Sequence, residues 1–451
     1  MKKLKFYKIV FIFIFLLLLG GCFVVSEYVH LEGIAVFPNE KIVMQKGDTL
    51  KLSVNQICNG ELSGSYSSDS GVASTVEAGA NNVELVGDIL KTKKNGIVKM
   101  KFAYNDREDY CDVPDITIKD NIYISKNMLK LKKMPKKIFS RNRSIYIIDD
   151  EDFNLKMKEY NENLDVISEE NLDTGYSNLF FDEDSMQYVY EKGVLKNKKT
   201  GEELELSDKG GISFYSKSKN NNYLFYIDSI RDKIGVIDLK NMKKVTEINF
   251  DYDYCNNLLN IYIEKDMFYL IYKNDELAEN IVILEKYNYN GEKVKSTSYF
   301  IDKLIEKISD YIYDTDVYDE EGLMLRGDEN NLYLGYNTEI LKYPGGDILT
   351  IDKNSLKVKS HKHIDGYFIN KFELVGNTIA ILGKTIKERV RLAGKDYRDV
   401  LICYDKNSYN MKFIKTITKE KIELFTDNRY LYLLSSNLDD YNCEIEQMEI
   451  Y

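Results

Sequence analysis

Hydrophobic and polar positions follow three successive patterns along this chain. The first does not alternate at all. Lys2, Lys3, Lys5 and Lys8 precede an unbroken apolar run from Ile9 to Leu19, and Gly20-Gly21-Cys22 follows. A basic segment, a short apolar stretch and small residues before a cysteine make an export signal, residues 1–22, rather than a folded element. The second pattern runs from 31 to 119, where short strands are broken by turn residues: LEGIAVFP, KIVMQKGDTLKLSVNQI, GVASTVEAG and GDILKTKKNGIVKMKFAYND. Every second side chain is apolar in Leu50, Leu52, Val54 and again in Val98, Met100, Phe102, the period of a strand with one buried face. Gly47-Asp48 and Asn95-Gly96 supply turns. This spacing predicts a small antiparallel β-sandwich.

The third pattern is a repeat that fills 120–451. An apolar, aromatic-rich hexamer recurs after a polar turn: SIYIID at 144, MQYVYE at 186, YLFYID at 223, MFYLIY at 267, LYLGYN at 332, TIAILG at 378 and YLYLLS at 430. The starts are 42, 37, 44, 65, 46 and 52 residues apart, mostly the period of a four-stranded propeller blade. Past most copies a second strand enters a turn and returns, as in VIDLKNMKKVTEI, YNYNGEKVKS, TIDKNSLKVKS and CYDKNSYNMKFI. Asp or Asn followed by Lys, Asn or Gly is tight-turn chemistry between antiparallel strands. One such unit cannot bury its own apolar faces, but a ring of them does. Seven blades are expected, within a range of six to eight; the alternative is an irregular sandwich or a solenoid. The chain ends one strand short of a full blade, and NIYISKNMLKLKK from Asn121 is placed to supply it and lock the ring.

The longest interval holds an insertion near 300–328. Phe300, Ile301, Leu304, Ile305, Ile308, Tyr311 and Ile312 fall at helical spacing, with Asp302 as N-cap. Tyr311, Tyr313, Asp314, Asp316, Tyr318, Asp319, Glu320 and Glu321 then interleave aromatic faces with carboxylates, a chemistry suited to a sugar or a basic peptide. Inserted loops on rigid scaffolds often carry binding residues, so 309–322 is the first candidate surface. The carboxylates are right for calcium, but the twelve-residue calcium loop is not matched, which favours a solvated acidic loop.

Composition narrows the classes. The chain has 451 residues and a formal net charge of −11, and the leader contains four of its lysines and no acid. An acidic field of that size repels nucleic acid, so nucleic-acid binding is excluded as a main function. There is no second apolar run of spanning length beyond the leader. The six cysteines show no CxxC and no zinc spacing.

Two resemblances sharpen the picture. Leu19-Gly20-Gly21-Cys22 resembles the lipobox of bacterial lipoproteins, which implies cleavage before Cys22 and a lipid on that residue. The other reading is an uncleaved anchor, since Ile9 to Val25 is apolar or small throughout. Lys46-Gly47-Asp48-Thr49-Leu50, Ser68-Asp69-Ser70-Gly71-Val72-Ala73 and Lys94-Asn95-Gly96-Ile97-Val98, in that order, resemble the bacterial immunoglobulin-like domains of group 2. The family's usual Trp is replaced here by Tyr66. That resemblance implies a spacer or adhesion module. It also places Cys58 at the end of the second strand and Cys111 in the loop before the last, at one end of the sandwich. The pair is then either a disulfide or two thiols. The repeat region is similar to WD-like and quinoprotein-like propellers in period and turn style only.

Catalytic signals are sparse. There is no G-x-S-x-G, no H-E-x-x-H and no phosphate-cradling glycine loop. Only His30, His361 and His363 offer imidazoles. His361 and His363 face one side of a strand, but no third metal ligand is visible at sensible spacing, so no metal site and no cofactor are expected. Arg326-Gly327-Asp328 is read as an ordinary turn. The expectation is an all-β, lipid-anchored protein facing outside the cytoplasm that binds an unidentified envelope protein or glycan without turnover. The rival is an extracellular carbohydrate-active enzyme with paired carboxylates in the propeller pocket.

Overall fold

The computed structural model describes residues 31–451 except 59–60, 66–71, 87, 105–109, 142, 152–153, 173–187, 192, 198, 207–211, 218–222, 229, 231–232, 250–259, 274–280, 302–303, 305–321, 339–344, 386–398, 419–420 and 437–442. The leader with Cys22 therefore lies outside the described residues.

The N-terminal strands form a sandwich. β1 (Leu31–Phe37) pairs with β4 (Ser53–Cys58), which pairs with β5 (Glu61–Ser65). A second sheet has β9 (Gly96–Tyr104) between β10 (Tyr110–Asp112) and β11 (Ile116–Lys119), with β2 (Ile42–Gln45) beyond β11 and β6 (Val72–Ala78) also on β9. β3 (Thr49–Lys51), β8 (Ile89–Thr92) and β7 (Val83–Val86) make a third. All pairs are antiparallel except β2 with β11, which is parallel. The alternation works as expected: Leu50, Leu52, Val54, Val98, Met100 and Phe102 are all buried. Gly47 turns the chain between β2 and β3 at φ 95°, a left-handed geometry that a side chain disfavours.

From β12 (Tyr123–Leu131) onward the described residues form seven sheets in succession. The first is β13 (Lys137–Arg141) to β16 (Val166–Leu172), through β14 (Ser144–Glu151) and β15 (Asn154–Tyr160). The second has β17 (Tyr188–Glu191), β18 (Val194–Asn197) and β19 (Glu203–Glu205), which match the second, third and fourth strands of its neighbours. Residues 173–187, just before it, lie outside the described residues. The third runs from β20 (Ile212–Lys217) through β21 (Tyr223–Asp228) and β22 (Lys233–Asp238) to β23 (Lys243–Asn249). In the fourth, β24 (Asn260–Ile263), β25 (Met267–Lys273) and β26 (Ile281–Asn288) lead to β27 (Lys293–Phe300). The fifth comprises β28 (Leu323–Gly327), β29 (Asn331–Thr338), β30 (Gly345–Asp352) and β31 (Val358–Asp365). The sixth comprises β32 (Tyr367–Val375), β33 (Thr378–Thr385), β34 (Asp399–Asp405) and β35 (Met411–Ile417).

The seventh sheet closes the series. β36 (Lys421–Thr426), β37 (Leu431–Ser436) and β38 (Cys443–Ile450) take their fourth strand from β12, on the N-terminal side of the repeats. The first strands of neighbouring sheets touch from β20 through β24, β28 and β32 to β36, and β36 also touches β13 of the first sheet. This is a propeller-type all-β arrangement, with the recurring hexamers on the second strands of the four-stranded sheets.

The third-to-fourth strand hairpin is the repeated local device. The side-chain oxygen of Asp352 accepts from the Asn354 and Ser355 amides, and that of Asp405 from the Asn407 and Ser408 amides. Asn161, Asn197, Asp238 and Asn288 do the same in the first four sheets. An Asx turn satisfies backbone donors that the hairpin would otherwise leave bare. Leu356 and Tyr409 follow at φ 52° and 54°, left-handed positions held by packing, since Leu356 is buried and Tyr409 lies on the core.

The insertion is shorter than the spacing predicts. Phe300 ends β27 and is exposed, whereas Ile301 is buried between the fourth and fifth sheets. Residues 323–327, read as insertion, are strand β28, and Asp328 belongs to the turn after it. Leu304 forms an isolated antiparallel bridge with Thr338, and the rest of the proposed helix, with its N-cap Asp302, falls on 302–303 and 305–312, outside the described residues.

The sandwich packs directly on the propeller. One continuous core joins Val36, Phe37, Ile42, Met44 and Ile118 of the sandwich to Tyr333, Ile364, Tyr367, Ile369, Phe372 and Tyr404 of the fifth and sixth sheets. Strands β2 and β3 lie against β35. Polar groups then fix the register: Glu40 accepts from the Tyr404 hydroxyl at 2.6 Å and from Lys362 at 2.7 Å. The Lys51 amide donates to Thr416 Oγ1 at 2.8 Å. Gln45 Oε1 accepts from the Ile122 and Tyr123 amides at 2.9 and 3.0 Å. Gly366 leaves room for the Phe37 ring, which a Cβ there would overlap. The sandwich is seated on the propeller.

Candidate functional site

Tyr311, Tyr313, Asp314, Asp316, Tyr318, Asp319, Glu320 and Glu321 lie outside the described residues, as does Cys22. Cys58 ends β4, but its side chain is outside them too. Cys111 sits in strand β10 opposite Phe102, not in a loop, and carries a free thiol that burial pushes up. Among the described residues no helix is long and apolar enough to cross a membrane.

Arg326-Gly327-Asp328 is absorbed by packing between sheets. Arg326 donates to Glu373 at 3.1 Å, and the Gly327 carbonyl accepts from the Tyr262 hydroxyl at 2.9 Å. Asp328 accepts from the Asn330 and Asn331 amides, from the Tyr333 hydroxyl and from Lys406. Burial alone would raise its pKa, but these donors outweigh it and hold the carboxyl at about 2. Lys353, itself buried, bonds Glu264 and the Asp328 carbonyl in the same network. The tripeptide is a structural turn.

Two features at the junction of sandwich and propeller draw polar side chains together. The first is a cleft of about 270 Å³ where the β2–β3 turn meets the sixth and seventh sheets. Asp48, Thr49, Thr416, Lys415, Ser435 and Glu446 line it. Lys415 lies 4.6 Å from the centre of the Tyr123 ring and 3.5 Å from Glu446. Asp48 Oδ1 accepts from the Tyr123 hydroxyl at 2.6 Å, while Oδ2 is buried with no donor among the described residues. Burial therefore raises the Asp48 pKa, against the opposing pull of Lys415.

The second feature is built on the fifth sheet. His361 and His363 do face one side of β31, as the alternation predicts, but they are more than an exposed strand face. Both rings reach the same oxygen of Asp347, which lies opposite His363 on β30. His361 Nε2 is 2.6 Å and His363 Nδ1 2.9 Å from Asp347 Oδ1. Thr338 donates to Oδ2 at 2.6 Å, and His363 Nε2 is 3.0 Å from Asp365. Burial raises the Asp347 pKa and lowers that of His363, yet mutual attraction wins at both: Asp347 stays low and His363 rises to about 10. Sequence reasoning missed Asp347. The Asx turn at Asp352 is the signal that finds it, because folding β31 back on β30 around that turn brings Asp347 opposite His363.

Known proteins add little to this geometry. No protein-family model and no curated protein matches the chain in sequence. Among solved structures, a quinoprotein alcohol dehydrogenase-like protein from Bacteroides thetaiotaomicron is 11% identical, with 94% of this chain and 100% of that one covered and a TM-score of 0.40. Dihydro-heme d1 dehydrogenase NirN is 14% identical over 86% of this chain and 74% of its own, with a TM-score of 0.38. The C-terminal WD40 domain of Sif2 is 9% identical over 73% of this chain and 99% of its own, at 0.39. These are likenesses of β architecture, and no chemistry is carried over from them.

Proposed function

We propose that the chain is a lipid-anchored envelope protein, tethered through Cys22 outside the cytoplasm. In this reading the fused sandwich and seven-bladed propeller bind an envelope protein or glycan without turning it over. The leader supports the tether, and the order of short strands around Gly47-Asp48 and Asn95-Gly96 supports an immunoglobulin-like module. The single observation that carries the binding reading is the junction cleft, where two rigid units meet and hydroxyls, carboxylates and one ammonium line the walls. Clefts between domains are where small ligands and chain ends are commonly held.

Many of the described carboxylates are committed to the fold. Asp238, Asp328, Asp352, Asp405 and Asp427 are committed to turns, and Glu247 and Glu373 to ion pairs. A glycoside-cleaving pair needs two free carboxyls facing one sugar about 5–10 Å apart.

The test uses the full chain in its own membrane. Metabolic labelling with an alkyne fatty acid should mark the wild type and not Cys22→Ser. Detergent-solubilised protein is then probed with envelope proteins and glycans, alongside Thr49→Tyr, which narrows the cleft. Retention of one discrete partner, lost in Thr49→Tyr with the circular dichroism spectrum unchanged, supports the reading. A retained glycan released in shortened form overturns the no-turnover part, and an unlabelled wild type overturns the anchor.

A further inference from the structure

The junction cleft has a charge imbalance that its own lysine does not repair. Asp48, Glu444 and Glu446 border it, and Lys415 is the one cation among its described lining residues. An ammonium has three protons to donate. Around that of Lys415 the Tyr123 hydroxyl lies at 3.3 Å, Glu446 at 3.5 Å and the Met448 sulfur at 3.7 Å. With its side chain only 12% exposed, Lys415 is a fixed part of the wall. It balances Glu446, whereas Asp48 receives only the Tyr123 hydroxyl, on Oδ1. The other oxygen, Oδ2, is buried with no donor among the described residues. A buried acceptor in that state has lost its hydration without compensation, so an incoming donor gains most there. Glu444 adds negative charge, since Lys130 approaches it only to 4.0 Å from a side chain 79% exposed. We propose that the cleft takes a primary ammonium carried on a hydroxylated ring, an amino sugar with its nitrogen unacetylated, and that Asp48 accepts from that ammonium.

This rests on the cleft being the binding site, and it adds the chemistry of the occupant. The rest of the lining selects the carrier of the charge. Of the twelve lining residues eight carry polar side chains and three apolar ones, Met128, Ile417 and Leu433. A lysine side chain presents a long apolar stem and is best held by an apolar sleeve. A sugar ring presents hydroxyls at every edge instead. The hydroxyls of Thr49 and Thr418 stand beside the carboxylates to meet them. At about 270 Å³ the cleft lies at the small end of ligand pockets, which suits one ring of a longer glycan. Binding turns the Asp48 carboxylate toward the ammonium and gives Oδ2 the donor it lacks. Lys415 opposes an incoming cation, and Glu446 beside it offsets that repulsion. N-acetylation of the sugar removes both the charge and the extra donors, so the acetylated form gains nothing at Asp48.

The experiment titrates the full chain in detergent by calorimetry, just below neutral pH and at low salt. Three probes are compared: a short β-1,4-linked glucosamine oligomer with free amines, the same oligomer fully N-acetylated, and a short oligolysine peptide. The free-amine oligomer should bind at one site per chain, weaken with added salt, and bind at least about 10-fold more tightly than the other two. Asp48→Asn keeps the acceptor for Tyr123 and should weaken binding about 10- to 100-fold. Glu444→Gln should weaken it about two- to fivefold. If Asp48→Asn lowers the melting temperature, Glu444→Gln with an unchanged circular dichroism spectrum is the deciding variant. Equal binding of the acetylated oligomer, blocked by Thr49→Tyr, overturns the ammonium and leaves the cleft as a binding site. Preference for oligolysine overturns the sugar. Binding that survives both carboxylate variants overturns the role of the acidic wall. If none of the three probes binds, this proposal falls, while a partner captured from the envelope and lost in Thr49→Tyr still upholds the cleft.

Discussion

The sixth and second sheets are built from the same repeat and end very differently. The sixth has strands of nine, eight, seven and seven residues, and β33 and β34 are buried on almost every position. The described strands of the second have four, four and three residues, and β19 alternates exposed and half-buried. Next to the second sheet, β16 leaves Val166 and Ile167 exposed. The difference is burial on both faces. One face of β33 and β34 lies in the core shared with the fifth sheet and the sandwich, and the other lies against the seventh sheet, so TIAILG and VLICY read as continuous apolar runs.

Substitutions on either side of that contrast put it to the test. The largest effect is expected at the junction: Phe37→Ala should cost about 3–5 kcal/mol in urea denaturation, since it empties a packed ring site. Val166→Ala on the first sheet should stay within about 0.5 kcal/mol. Equal costs at the two sites would show that the junction is not part of one core.

Acid should come next. The folded pKa of Asp328, about 2, lies below the ordinary 3.8. Its contribution is therefore present above the ordinary value and lost as pH falls from about 4 toward 2. Asp328→Asn should flatten the acid limb of a stability–pH profile in that window. An unchanged limb would mean that its hydrogen bonds to the fifth-sheet turn and to Lys406 are weak.

Glu40→Gln, which loses the charge facing Lys362 but can still accept from Tyr404, should cost about 1–2 kcal/mol. Tyr404→Phe combined with it in a double-mutant cycle should show coupling, and additive costs would separate the two contacts. A modest effect is expected at Gly201, whose φ is 77° with open space around the position a Cβ would take. Gly201→Ala should cost about 1 kcal/mol from backbone strain alone. A larger loss would show that the second sheet is better packed than its short strands suggest.

Much of the architecture is legible in the residues. The recurring hexamers mark second strands, DKNS marks the third-to-fourth hairpin, and the surplus strand at Asn121 completes the last sheet. These are local signals, because strand period and Asx-turn chemistry act over a few residues. The helical spacing of 300–312 misleads at its start, since Phe300 is held in β27 by ladder bonds to Ile281. His361 and His363 are visible as a pair, but their meaning depends on Asp347, fourteen residues before the first of them.

Local pattern thus determines which residues become strands and turns, because those choices depend on side-chain period and nearby backbone donors. Only tertiary structure decides that the sandwich shares a core with the fifth and sixth sheets, that Arg326-Gly327-Asp328 is sequestered, and that two histidines close on one carboxylate. Each outcome depends on contacts between separate strands, from Asp347 and His361 on one hairpin to Glu40 and Tyr404, hundreds of residues apart, meeting at hydrogen-bond distance. No short stretch of sequence encodes that separation.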